Sequence, residues 1–180
     1  MAVEKHGGNL MSMSRIINGP IAQANYRAWE ESLHGKRAVD LGKKECTRCG
    51  ACCARRPCIP TPSELKKIAE YLHTSARETI RKYFVIDRMW LRPEYFIFPA
   101  KTTQRDLTGE FVPSDRTFDR GYCVFFDQER KACKIYPVRP RTAREQNCWQ
   151  EDHGKATEQA LAAWKRCDIK KQFNIDFNEE

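Results

Sequence analysis

Long apolar stretches are missing from this chain. Nowhere among its 180 residues do apolar side chains run on for the roughly 20 positions that a membrane-spanning helix needs. Met1 to Gly19 also lacks the apolar core of a secretory signal peptide. The expectation is a cytoplasmic protein that enters no membrane, in a reducing compartment where thiols stay free. Histidine is scarce: the four residues, His6, His34, His73 and His153, are scattered and form neither a His-x3-His nor a His-Glu-x2-His arrangement. That excludes the common helix-borne zinc hydrolase sites. There is no Gly-rich phosphate loop, no internal repeat and no low-complexity tract. Acidic residues are outnumbered by basic ones, 24 against 32, for a formal charge of +8. A hydrophobic fraction of 41% with 11% aromatics argues against wholesale disorder.

Cysteine is what the chain has in excess, nine in all, and five of them fall between positions 46 and 58: Cys46, Cys49, Cys52, Cys53 and Cys58. A thiolate is a soft, charged donor, and two cysteines separated by two residues wrap one metal in a tight turn. Gly50 lies inside the loop, where a backbone curling round a metal needs positive φ. Three cysteines at successive spacings of three, with a fourth from elsewhere, is the ligand pattern of iron–sulfur clusters. Structural zinc more often takes two separated Cys-x2-Cys pairs, so the spacing favours iron–sulfur over zinc. Side chains of neighbours such as Cys52 and Cys53 point in different directions. One is therefore expected to join Cys46 and Cys49, and the other to serve a second ion or a redox role. A disulfide framework is a poorer reading, since the count is odd and no export signal is present. Burial as small apolar residues suits this polar, Arg-containing loop no better.

Basic residues flank the cysteines. Nine Lys or Arg against three acidic residues lie between Lys36 and Lys67, and six against none between Arg130 and Arg144. A thiolate-held metal carries net negative charge, and nearby cations stabilise it. The basic excess is read as serving the metal, and direct nucleic-acid binding as the lesser alternative.

Residues 1–19 read as a flexible tail and 20–173 as one domain. Within it, apolar spacing predicts a helix over 20–34 ended by Gly35. Thr61-Pro62-Ser63-Glu64 and Ser75-x2-Glu78 are capping boxes that open two helices, the second turning Ala76, Ile80, Tyr83 and Phe84 inward. Aromatic runs at 94–100 and 122–127 predict short strands, and Cys133–Tyr136 a third, joined to 122–127 by a hairpin at 127–131. Residues 154–173 predict one helix with Cys167 on its core side, followed by a frayed acidic tail at 174–180. The fold class is α+β: a small helical domain with a short antiparallel hairpin or sheet around a cysteine metal site. Pairing across the hairpin brings Cys123 and Cys133 together as the remote half of the site, and a metal bond between residues so far apart makes folding depend on metal.

Cys46-x2-Cys49-x2-Cys52-Cys53, followed by Cys123-x9-Cys133-x-Ile135-Tyr136-x2-Arg139-Pro140-x3-Arg144, resembles the CxxCxxCC (YkgJ-type) cysteine-cluster family of zinc- or iron-chelating proteins. The resemblance spans about 46–144. It implies a metal centre held by Cys46, Cys49, Cys52, Cys53, Cys123 and Cys133, either iron–sulfur or zinc, as one or two centres. The family pattern carries a further cysteine where this chain has Ala143, and Cys148, five residues on, is the candidate to replace it. Arg139, Arg141 and Arg144, held beside the cluster, could donate to sulfur or an anionic substrate; the expectation is instead that Arg139 and Arg144 pair with carboxylates and fix the loop. Beside plain metal chelation stand two alternatives. One is an iron–sulfur oxidoreductase or maturation factor with a reactive cysteine. The other is a basic zinc module that binds nucleic acid or a protein partner.

Overall fold

The computed structural model describes residues 42, 47–55, 58–88, 93–112, 119–145 and 154–178. The expected helix over 20–34, Cys46 and Cys148 lie outside the described residues. Helices and short antiparallel ladders make the chain α+β, as its pattern predicts. Among the described residues no helix is long and apolar enough to cross a membrane.

Helix α1 (Ala51–Arg55) carries Cys52 and Cys53. Helices α2 (Pro62–Tyr71) and α3 (Ala76–Tyr83) begin at the two capping boxes. In the first, the Thr61 hydroxyl accepts the Glu64 N–H at 3.2 Å while Glu64 Oε2 accepts the Thr61 N–H at 2.8 Å. Ser75 and Glu78 repeat the exchange at 3.2 and 3.0 Å. Two orphan amides at each helix start are thereby satisfied. Leu65, Ile68, Ala69 and Ile80 fall on the buried faces, at the spacing of one helical stripe.

Phe84 does point into the core, but from a strand rather than from the end of α3. Strand β1 (Phe84–Asp87) follows the helix at once, because Phe-Val-Ile favours the extended backbone over another helical turn. It pairs antiparallel with β2 (Phe96–Pro99), Phe84 opposite Pro99 and Asp87 opposite Phe96. Every residue of both strands is buried, so this ladder is covered on both faces.

The chain leaves β2 through Lys101 and a 3-10 segment, Thr102–Leu107. Residues 122–124 then return beside it: Val124 N–H donates to the Ala100 carbonyl at 2.9 Å, and Thr102 N–H to the Tyr122 carbonyl at 2.8 Å. The aromatic run at 122–127 is therefore a bridge followed by a hairpin, not one continuous strand. In that hairpin β3 (Phe126–Asp127) pairs with β4 (Ala132–Cys133), Phe126 opposite Cys133. The predicted strand Cys133–Tyr136 stops after its first residue. Pro137 cannot donate to a ladder, and Tyr136–Val138 turns as a 3-10 segment.

Helix α4 (Arg141–Glu145) precedes α5 (Gly154–Trp164). The single helix expected over 154–173 divides, with α6 (Ile169–Phe173) starting afresh at Asp168, whose carboxylate accepts the Lys171 N–H at 3.3 Å. Of the tail expected to fray, the described residues 174–178 differ: Ile175 and Phe177 are 2% and 5% exposed. Phe177 packs edge-on to Tyr95 with ring centroids 4.9 Å apart. Ile175 and Phe177 alternate with the exposed Asn174, Asp176 and Asn178, which leaves the apolar side chains buried and the polar ones in solvent. Trp164, fully buried, sits among these elements against Phe173.

Candidate metal centre

Two connections draw the early and late cysteines together. The Cys123 N–H donates to the Cys53 carbonyl at 2.9 Å, which joins α1 directly to the segment beside β2. Lys101 and Cys123 form an antiparallel bridge, so the return of the chain along β2 sets the position of Cys123. The β3–β4 hairpin then carries Cys133 back, with the Lys134 N–H donating to the Phe125 carbonyl at 2.8 Å. On the other side, Cys58 leads into a segment anchored twice. Thr142 Oγ1 donates to the Ile59 carbonyl at 2.9 Å, and the Trp164 indole donates to the Pro60 carbonyl at 2.6 Å.

As a result Cys52, Cys53, Cys58, Cys123 and Cys133 line one cavity of about 70 Å³, together with Lys101, Arg139 and Ala143. Of the residues predicted as ligands, Cys52, Cys53, Cys123 and Cys133 are brought to one place. Cys49 precedes them on the loop and is half-buried, but does not line the cavity. Gly50 holds that loop at φ +82°, and an added Cβ would stand 2.8 Å from the Phe126 ring. Among the described residues, no group of three or more Cys, His, Asp or Glu is placed to hold a metal ion. The five cysteines share a cavity lining instead.

The electrostatics of that space are those of crowded thiols. Burial pushes the Cys123 thiol up to about 12, and raises Cys133 as well. Cys58 is held well above the ordinary thiol range by burial, then by the charges of Cys123 and Cys133. Cys52 and Cys53 share a hydrogen bond between their side chains, and it drives them apart. Cys52, the exposed member, is lowered to about 7, chiefly by that bond and further by backbone N–H groups and Arg139, against the effect of burial. Cys53 is raised, first by the same bond and then by burial. Converting several of these thiols to thiolates places like charges side by side in a partly dry cavity, and a cation among them removes the repulsion. A soft metal is the cation this donor set suits.

Two basic residues complete the lining. Lys101 is 4% exposed and its ammonium donates to the Asp119 carbonyl at 2.6 Å. It also lowers the Cys123 thiol, against burial. Arg139 lies over Tyr136, 3.9 Å from guanidinium to ring centroid, and its Nε is buried with no hydrogen-bond partner. A buried donor left in that state costs about 1–3 kcal/mol. Arg144 follows the expected carboxylate pairing, and Arg141 joins it where Arg139 was expected. Arg141 pairs with Glu145 and its backbone N–H donates to Glu64 Oε1 at 2.7 Å, while Arg144 stands 3.9 Å from the same oxygen. Arg139 follows the other course and faces the thiols. Cys167 lies elsewhere, packed against the core with its thiol donating to Gln172 at 2.7 Å.

Cys58, Lys101 and Phe125 are among the lining residues that sequence reasoning did not single out as ligands or partners. Cys58 lies within the dense 46–58 cluster but outside the Cys-x2-Cys spacing. Lys101 and Phe125 carry no local signal, because a lysine that ends in a cavity is spelled like one that ends in water.

Comparison with known proteins agrees with this chemistry. No solved structure matches the chain. "Uncharacterized protein MJ0661" of Methanocaldococcus jannaschii is 31% identical over 99 residues, 55% of this chain. The matched region spans 41% of that relative's length. A family model, CxxCxxCC, described as "Putative zinc- or iron-chelating domain", matches residues 45–168, more than half of the chain. It covers α1, both ladders and the whole thiol-lined cavity. The chain therefore belongs to the CxxCxxCC family of zinc- or iron-chelating domains.

Proposed function

We propose that this protein holds a zinc or iron centre through Cys52, Cys53, Cys123 and Cys133, with Cys58 at the same cavity and Cys46, Cys49 and Cys148 as further thiol donors. The observation that supports it most is the convergence of five cysteines, from three separate segments, on one cavity with Lys101 and Arg139 beside them. A divalent ion among four thiolates leaves about two negative charges, which the two cations balance. When bound, the metal supplies a cross-link between the loop at 49–58 and the hairpin at 123–133.

The spacing Cys46-x2-Cys49-x2-Cys52 favours an iron–sulfur cluster over a single zinc ion. Protein purified without oxygen is expected to be brown with broad absorption near 400 nm, and to contain iron and acid-labile sulfide. Colourless protein with bound zinc would replace the cluster by a zinc site; protein that binds neither metal would refute the centre itself. The reactive-cysteine alternative has one supporting observation, the exposed Cys52 thiol with its pKa near 7. Rapid alkylation of Cys52 in metal-loaded protein would favour it, and protection by metal would assign Cys52 to the ligands.

A further inference from the structure

Cys52 is the exposed thiol of the five that line the cavity; Cys53, Cys58, Cys123 and Cys133 are partly covered. A dissolved oxidant therefore reaches Cys52 first, and the thiols behind it determine what the oxidised sulfur becomes. Among the described residues no three ligating side chains are placed to hold an ion, but a disulfide asks for only two sulfurs. Cys53 is a poor partner for Cys52, since both belong to helix α1. Consecutive Cα atoms lie about 3.8 Å apart, short of the roughly 4.4–6.8 Å that a disulfide spans. Cys123 is held against that helix from a separate segment, its N–H donating to the Cys53 carbonyl at 2.9 Å, and Cys133 lines the same cavity. Beyond the effect of burial, charge on Cys52 raises both of these thiols, as it does only for close neighbours.

We propose that Cys52 is an oxidation site for hydroperoxides, resolved by Cys123 or Cys133 into a disulfide that ties α1 to the 123–133 segment. The Cys52 sulfur attacks the peroxide; an S–O bond forms as the O–O bond breaks, and water or an alcohol departs. The thiol of Cys123 or Cys133 then attacks the sulfenic sulfur, so that S–S forms, S–O breaks and the hydroxyl leaves as water with the thiol proton. Two thiols give up two electrons and one hydroperoxide takes them. Sulfurs joined in this way cannot ligate, so oxidation and metal compete for the same atoms. That competition rests on the metal reading above; the disulfide itself does not.

The metal-free full chain tests this when treated with hydrogen peroxide, alkylated and digested with trypsin for mass spectrometry. Tryptic cleavage puts Cys52 on peptide 49–55, Cys123 on 121–130 and Cys133 on 132–134. Peptide 49–55 linked to either of the others is the expected product, lost in Cys52→Ser and retained in Cys53→Ser. Loading with zinc beforehand should suppress the link, and the oxidised chain should no longer take up zinc. A chain that stays reduced would overturn the proposal, as would a bond confined to 49–55, made only to Cys58, or made between two chains. So would a linked peptide that depends on Cys53 rather than Cys52. Linkage unaffected by bound zinc would overturn the competition. A chain that takes up neither zinc nor iron and still forms the bond would refute the metal centre and leave this inference standing. The wild-type peptide map carries the test should a serine variant fail to fold.

Discussion

At Cys123 burial sets the protonation state of a single thiol. Its thiol is raised from an ordinary 9.0 to about 12, mainly by burial. The folded state therefore prefers the neutral thiol. Stability from this group is fully present below about pH 9 and is lost as pH rises toward about 12, because the unfolded chain ionises first. Metal-free protein should show a denaturation midpoint that falls across that window. Metal-loaded protein, whose ligands are already thiolates, should lose less of its midpoint there, and equal losses in the two forms would rule the account out. The same proton balance acts near neutrality, where each thiol must release its proton to bind, so metal affinity should rise with pH.

Among the elements, the loop before α1 and the two capped helices respond to different substitutions. Gly50 sits at φ +82° with the Phe126 ring 2.8 Å from where a Cβ would lie. Gly50→Ala pays about 1–2 kcal/mol in the left-handed conformation alone, before the ring is displaced. The loop carrying Cys49 must then move relative to the hairpin that ends at Cys133. Gly50→Ala is expected to weaken metal binding as well as stability, measured by competition with a chromophoric chelator. Thr61→Ala removes a helix cap at about 1 kcal/mol and lies on the far side of Cys58 from that loop. It should lower the denaturant midpoint with little change in metal affinity. A Gly50→Ala protein with unchanged affinity would show that the loop is not held by Phe126.

For the whole molecule, Trp164 is the side chain through which the late helices and the cysteine segments share one core. It is fully buried, and its indole donates to the Pro60 carbonyl two residues past Cys58. Trp164→Ala should cost about 3–5 kcal/mol, from a cavity and an unpaired carbonyl together. Trp164→Phe keeps most of the packing but loses the hydrogen bond. It should cost less than the alanine variant in a urea denaturation series, and costs equal to those of alanine would place the whole effect in the hydrogen bond.

Much of this could be read along the chain because the interactions concerned are local. Capping boxes at Thr61 and Ser75 need only residues three apart, and the buried stripe of α2 follows from helical spacing alone. The cysteine spacing and the Arg139-Pro140 run likewise led to the family. Strand lengths were harder, since Phe84 and the 122–127 run take their conformation from what pairs with them. The same holds for Ile175 and Phe177, whose burial depends on Tyr95 and its neighbours rather than on nearby residues.

Sequence alone determined that this is a thiol-rich α+β chain whose cysteines suit a soft metal, because donor chemistry and short spacings are covalent properties of the chain. Tertiary structure alone decided which sulfurs share a cavity, that Cys58 and Lys101 join them, and that Arg139 faces the thiols while Arg141 and Arg144 turn to carboxylates. Those outcomes rest on hydrogen bonds and packing between segments far apart in the chain, and no local pattern encodes a distance that only folding sets.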